Sequence, residues 1–164
     1  MLGALARIAL YAAGAGLVLM TVFVAAQVFA RYVLNSSLTW TEPASLLLMS
    51  WFIFLGAAVG VREGYHLSFD VLLHFLPPRF SLWLHTLSDI VVIAFGFGMV
   101  WYGTQLCLGT WNATLPSLGL PGGFEYMPVM AGGVLLIIFC LERIARRAAG
   151  MRTARFGEAG LEDA

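Results

Sequence analysis

The sequence predicts an all-α membrane protein: four transmembrane helices, both termini in the cytoplasm, and an amphipathic interfacial helix between helices 2 and 3. Three observations carry this. Hydrophobic residues make up 60% of the 164 and charged residues 11%, against about 45–50% and about 25% in a soluble domain. The apolar residues gather into four runs near the roughly 20 residues that cross a bilayer as a helix. The nine basic residues, all arginine, sort strongly by side. The same figures exclude a disordered chain and a cytosolic globular domain. They also exclude a nucleic-acid binder, which needs a basic surface to neutralise phosphates. Here nine acids balance nine bases and the net charge is zero.

The first span is placed at about 8–30, closed by Arg31, with Gln27 its one strongly polar side chain. It is longer than the apolar core of a cleaved signal peptide and lacks a small-residue cut site at its end. It is therefore read as a retained helix. The second span is placed at about 43–61, with Pro43 in its first turn, where a missing N–H does no harm, and Arg62-Glu63 as its stop. From 65 to 76 the pattern changes. His66, Asp70 and His74 recur every four residues among Leu67, Phe69, Val71, Leu72, Leu73 and Phe75. That is one polar stripe on a helix too short to span, so it lies in the interface and ends at Pro77-Pro78. The third span is placed at about 82–106 and the fourth at about 128–147. A Gly- and Pro-rich connection, ordered but irregular, lies between them. Residues 149–164 form a flexible cytoplasmic tail. Lipid offers no partner for backbone groups, so each run must be helical.

With four spans, the N-terminus, the second loop and the C-terminus share a side. Arg7, Arg62, Arg79, Arg143, Arg146, Arg147, Arg152 and Arg155 fall there, and only Arg31 falls on the other. Eight against one places both termini inside by the positive-inside rule. Trp40, Trp101 and Trp111 fall near the outer boundary, Trp83 near the inner one, and Trp51 inside the second span as a packing residue. Cys140 lies 12 residues inward from Pro128, about 18 Å along a helix. Cys107 stands at the outer end of the third span, so no bridge joins them.

Charges near lipid are costly and face protein. Arg31 and Glu42 flank the outer hairpin and suggest a pair. Asp89 lies inside the third span with His85 one turn before it. It is read first as a buried contact that fixes packing or meets a partner subunit, and second as a proton or cation site. Glu142 and Arg146 form a structural i,i+4 pair. Gly56 and Gly60 make a GxxxG, and small faces at Gly14–Gly16 and Ala131–Gly133 suit close helix approach, within the chain or against a partner. The His66/Asp70/His74 spacing suits a metal, but an interfacial helix needs a polar face anyway. All three histidines lie on the inner side, which disfavours haem. No catalytic, substrate-binding, metal or cofactor site is assigned. A cytochrome-like redox protein and a small oligomeric exporter are the competing classes.

Taken in order, several segments resemble a known family: Phe29-Ala30-Arg31-Tyr32, Leu38-Thr39-Trp40-Thr41-Glu42, Trp51, Leu55-Gly56-Ala57-Ala58, Arg62-Glu63-Gly64-Tyr65-His66, Asp70, Pro77, Leu115-Pro116 and Leu118-Gly119-Leu120-Pro121. The chain is similar, over about residues 5–148, to the small membrane subunit (Q-type) of tripartite ATP-independent periplasmic (TRAP) transporters. It departs at Pro43, where a second acidic residue is expected, so no paired-carboxylate role is carried over there. The resemblance implies a bacterial inner-membrane protein. It implies a large multi-span partner that holds the substrate and sodium sites, and a periplasmic binding protein that delivers an organic acid. It also implies that this chain braces the large subunit and takes part in no chemistry. On that mapping Arg31, Trp40 and Glu42 organise the outer hairpin. Arg62, His66 and Asp70 fix the turn into the interfacial helix. Gly56, Gly60 and Asp89 are candidates for structural or partner contacts.

Overall fold

The computed structural model describes residues 2–63, 78–115 and 117–149. Four helices run through them: α1 (Leu2–Tyr32), α2 (Thr41–Glu63), α3 (Pro78–Gly109) and α4 (Met127–Ala148). A 3-10 turn at Gly122–Glu125 leads into α4. All four helices are long and apolar enough to cross a membrane. The interfacial helix expected at 65–76, with His66 and Asp70, lies outside the described residues. So do the tail from 150 and the side chains of Trp83 and His85.

Each helix runs past the apolar run that predicts it. An apolar run marks the part in hydrocarbon, whereas the hydrogen-bond ladder continues until something stops it. α1 starts at Leu2 and has 31 residues, about 46 Å at a helical rise, so it tilts or extends beyond a hydrocarbon layer of about 30 Å. It ends where Asn35 takes a left-handed φ of 49°, which Asn tolerates better than most residues. The Ser36 N–H there donates to the Ala30 carbonyl at 3.0 Å. α2 starts at Thr41, whose hydroxyl donates to the Leu38 carbonyl at 2.7 Å. Glu42 in its first turn suits the positive end of the helix dipole. α3 starts on Pro78, a residue pre-set for a first helical position.

The helices stand in a row. α1 packs on α2, α2 on α4, and α4 on α3. α1 touches the rest by one narrow seam. From Ala6 on, its only positions that are not exposed are Ala6, Ala9, Ala13, Gly16, Met20, Phe23, Gln27 and Ala30. The steps alternate three and four, the spacing of a helix pair crossing at a small left-handed angle. Gly16 on this seam approaches Leu48 and Phe52 of α2. The buried core gathers Ala6, Ala9, Ala58, Val59, Leu136 and Phe139, where α1, α2 and α4 meet.

The contact of α3 with α4 is tighter. A methyl built on Gly133 falls 2.9 Å from the Gly96 carbonyl oxygen, and one on Gly103 falls 2.9 Å from Met130. On the α2 side, one on Gly132 falls 2.7 Å from Phe54 Cβ. Close approach of this kind replaces the hydrophobic drive that lipid withholds. Gly56 and Gly60 behave otherwise: a methyl on either meets nothing within 4 Å. The GxxxG of α2 therefore makes no close contact within the described residues, nor does Gly14, while Gly16, Gly96, Gly132 and Gly133 do.

The connection from α3 to α4 folds back on α3. Thr114 and Pro121 form an isolated antiparallel bridge, and Leu115 N–H donates to Leu120 at 2.8 Å. Ser117 and Gly119 take left-handed φ values of 68° and 66°. Gly123 lies against the end of α3 so closely that a methyl would fall 2.8 Å from the Cys107 carbonyl. Cys107 and Cys140 are both buried and both free thiols.

Two glycine variants separate these environments. Gly133→Ala forces α3 and α4 apart and costs about 1–2 kcal/mol. Gly56→Ala is neutral or gains up to about 1 kcal/mol of helix propensity. Thermal unfolding in detergent, followed by circular dichroism, reads both.

Candidate functional site

The functional candidate is built at one end of the helix axes, here termed proximal, where α1 begins, α2 ends, α3 begins and α4 ends. Its centre is Arg143 on α4. Arg143 is 7% exposed and Asp89 on α3 is 1% exposed. Arg143 Nη2 lies 2.6 Å from Asp89 Oδ1. Arg143 Nη1 donates to the Val61 carbonyl of α2 at 2.6 Å. One guanidinium thus joins three helices. The Val61 carbonyl is among the last four of α2, which have no donor within their own helix. The negative end of the α2 dipole points the same way. A planar fork of N–H groups serves a carboxylate and a carbonyl at once, where an ammonium offers only a point charge.

Glu142 is the neighbour of Arg143 and points about 100° around the helix from it. Its Oε2 accepts from Arg62 Nε of α2 at 3.3 Å. Its Oε1 accepts from Arg146 Nε and Nη2 at 3.1 and 2.7 Å. The Arg62 guanidinium also stands 5.6 Å from the centre of the Phe139 ring, a cation–π contact. Burial grades outward: the Arg146 side chain is 39% exposed and Glu142 10%. The inner pair carries the larger stakes, because two ions taken out of water are costly and are tolerated only when well paired.

The sequence-predicted residues sort accordingly. Asp89 makes a packing contact inside the chain, to Arg143. Glu142 and Arg146 pair as their spacing implies. Arg62 turns to α4 as well as standing at the end of α2. Sequence reasoning missed two links, Asp89 to Arg143 and Arg62 to Glu142. A signal for the first was present. Asp89, Gly96 and Gly103 are spaced by seven, so the face that lays both glycines on α4 also presents Asp89 to it.

At the other end, Arg31 and Glu42 both stand exposed. The ion pairs among the described residues do not join them. The suggested pair is thus absent among the described residues; an apolar contact crosses the hairpin, and a hydroxyl bond caps the start of α2. Trp40 packs edge-on to Phe23 at 5.5 Å. The Ser45 hydroxyl donates to the Thr41 carbonyl at 2.7 Å, out of reach of solvent. A shallow cleft between α2 and the α3–α4 connection is lined by Pro43, Leu46, Leu47, Ser50, Leu115 and Glu125. Among the described residues no group of three or more His, Cys, Asp or Glu side chains is placed to hold a metal ion. The proximal cluster joins helices and presents no nucleophile–base pair.

Removing the shared carboxylate by Glu142→Gln leaves Arg62 and Arg146 facing each other and costs about 1.5–3 kcal/mol. Arg146→Ala at the exposed rim costs no more than about 0.5–1 kcal/mol. Denaturant titration of the purified protein orders the two.

Comparison with known proteins agrees with this architecture. Residues 20–150 match the model of the family described as tripartite ATP-independent periplasmic transporters, DctQ component. A protein of Haemophilus influenzae described as a TRAP transporter small permease is 32% identical over 131 residues, 78% of this chain and 80% of that protein. The C4-dicarboxylate TRAP transporter small permease DctQ of Vibrio cholerae is 29% identical over 57% of this chain and 37% of its own length. The sialic acid TRAP transporter permease SiaT of Haemophilus influenzae is 27% identical over 79% of this chain, which spans 21% of that protein. A multi-pass, four-helix chain with this match belongs to the DctQ-component family, the small permease subunits of TRAP transporters of the inner membrane.

Proposed function

We propose that this chain is the bracing subunit of a sodium-coupled TRAP transporter that takes up an organic acid delivered by a periplasmic binding protein. The observation that carries the reading is the family match over residues 20–150 joined to a membrane domain whose described buried charges are consumed in holding its own helices together. Such a chain offers a rigid wall and leaves substrate and ion sites to a large multi-span partner. SiaT supports the partner: the region similar to this chain is about a fifth of a much longer permease. Both termini lie in the cytoplasm on this reading, following the arginine count.

The site residues divide by end. Arg31, Trp40 and Glu42 shape the outer hairpin. Arg62, with His66 and Asp70 beyond it, sets how the chain leaves α2 toward an interfacial helix at the inner face. Gly56 and Gly60, open within the chain, are contact points for the large subunit.

Reconstitution tests this reading. This chain alone gives no uptake in proteoliposomes, nor does a large TRAP permease alone. The two together with a binding protein take up a dicarboxylate, a 2-oxo acid or a sialic acid only under an inward sodium gradient. Uptake by this chain alone overturns the assignment. Replacing Arg62 and Asp70 together with alanine lowers the amount of large subunit that co-purifies by several fold. Unchanged co-purification and uptake in that variant overturn the brace.

A further inference from the structure

The cleft between α2 and the α3–α4 connection stands at the end of the helix axes opposite the proximal cluster. Its volume is about 360 Å³, counted to its open mouth. One turn of a helix about 10 Å across fills about 420 Å³, so the cleft is too small for a helix and suits a single flexible chain. Its α2 wall runs from Pro43 to Ser50. The span on which these residues lie starts at Thr41, so the wall covers depths of about 3 to 13 Å along the helix, from the headgroup level into one leaflet. The wall is apolar through Leu46 and Leu47, with Leu115 facing them. The Ser50 hydroxyl is spent within α2, donating to the Leu46 carbonyl at 3.1 Å. The one charge on the lining is Glu125, which stands exposed where the 3-10 turn leads into α4. The ion pairs among the described residues do not engage it. This end of the chain is also short of cations. Residues 31–50 and 106–130 carry Arg31, Glu42 and Glu125 as their only charges, one base against two acids.

We propose that this cleft is a lipid site: it takes one acyl chain of a phospholipid with a primary ammonium headgroup, phosphatidylethanolamine, and Glu125 receives the ammonium. An apolar slot that opens at headgroup level with a carboxylate at its mouth matches a molecule that is cationic at one end and aliphatic below. A primary ammonium brings three N–H donors to the carboxylate. A choline headgroup carries the same charge with no N–H, so it fills the slot without those hydrogen bonds. The site is the same in either leaflet and does not rest on the orientation proposed above.

The test uses the full chain in detergent micelles, purified alone and in complex with a large permease. The probe is phosphatidylethanolamine with a photoactivatable diazirine on one acyl chain, and labelled peptides are mapped by mass spectrometry. Label concentrates on the peptides that hold Pro43–Ser50 and Leu115 in both preparations. Unlabelled phosphatidylethanolamine displaces it about two- to fivefold more effectively than phosphatidylcholine of the same acyl chains, the range of an accessible charge pair. Glu125→Gln removes that advantage. Glu42→Gln keeps it, because Glu42 points about 100° around the helix from Pro43. Leu46→Trp, a change at an exposed position that fills the cleft, clears the label from these peptides with helix content by circular dichroism unchanged. The proposal is overturned if label spreads evenly over the four spans, if the two lipids compete equally in the unaltered chain, or if the advantage survives Glu125→Gln or is lost equally in Glu42→Gln. Loss of the cleft label when the large permease is bound also overturns it, since a protein side chain then fills the slot.

Discussion

A guanidinium enclosed among apolar helices is the interaction on which the proximal half of this protein depends. Arg143 reaches a carboxylate on α3 and a helix-end carbonyl on α2 from a backbone position on α4. One side chain thereby ties three helices by polar contacts. Lipid makes this decisive. In water a displaced arginine is solvated and the loss is small. In a bilayer its carboxylate partner is left in a medium that solvates it poorly. The geometry is therefore selected as much by the cost of every alternative as by the strength of the contact itself.

The helix order follows from the same constraint. α4 sits between α2 and α3 and carries the charges that both neighbours require, Glu142 for Arg62 and Arg143 for Asp89. Its glycines let both neighbours approach, Gly132 toward α2 and Gly133 toward α3. Adjacent residues on α4 thus serve opposite sides of the row, because successive side chains on a helix point about 100° apart. α1 needs none of this. It carries no buried charge and is attached by an alanine-rich seam alone.

Much of this was legible in the sequence, and the rest was not for physical reasons. Four spans were readable because lipid imposes length and composition on each segment separately. Helix ends were less readable, since Leu2–Arg7 and Pro78–Ser81 continue a ladder that hydrophobicity does not report. Glu142–Arg146 was readable because both partners lie on one helix. For Asp89–Arg143 the sevenfold spacing of Asp89, Gly96 and Gly103 marks one face of α3, but four apolar runs do not declare which helix meets that face. The expected Arg31–Glu42 pair failed for a related reason. Closeness along a hairpin does not order two long side chains that water can solvate. The glycines make the same point. GxxxG at Gly56 and Gly60 matches a pattern but faces open space, while the small face at Ala131–Gly133 meets Gly96 across the α3–α4 contact, and Gly103, seven residues past Gly96, packs on Met130.

The row arrangement has a consequence in area. Four helices grouped in a square hide most of their surface from the surroundings. Here α1 packs chiefly on α2 and α3 chiefly on α4, so each outer helix keeps a broad face uncovered by the rest of the described chain. α1 at one end exposes Ile8, Tyr11, Val18, Val22, Phe29 and Tyr32, and α3 at the other exposes Phe95, Phe97, Trp101 and Tyr102. For its 164 residues the chain thus presents a large perimeter and encloses little volume. Apolar surface left open on both outer helices is surface that lipid or another membrane chain must cover.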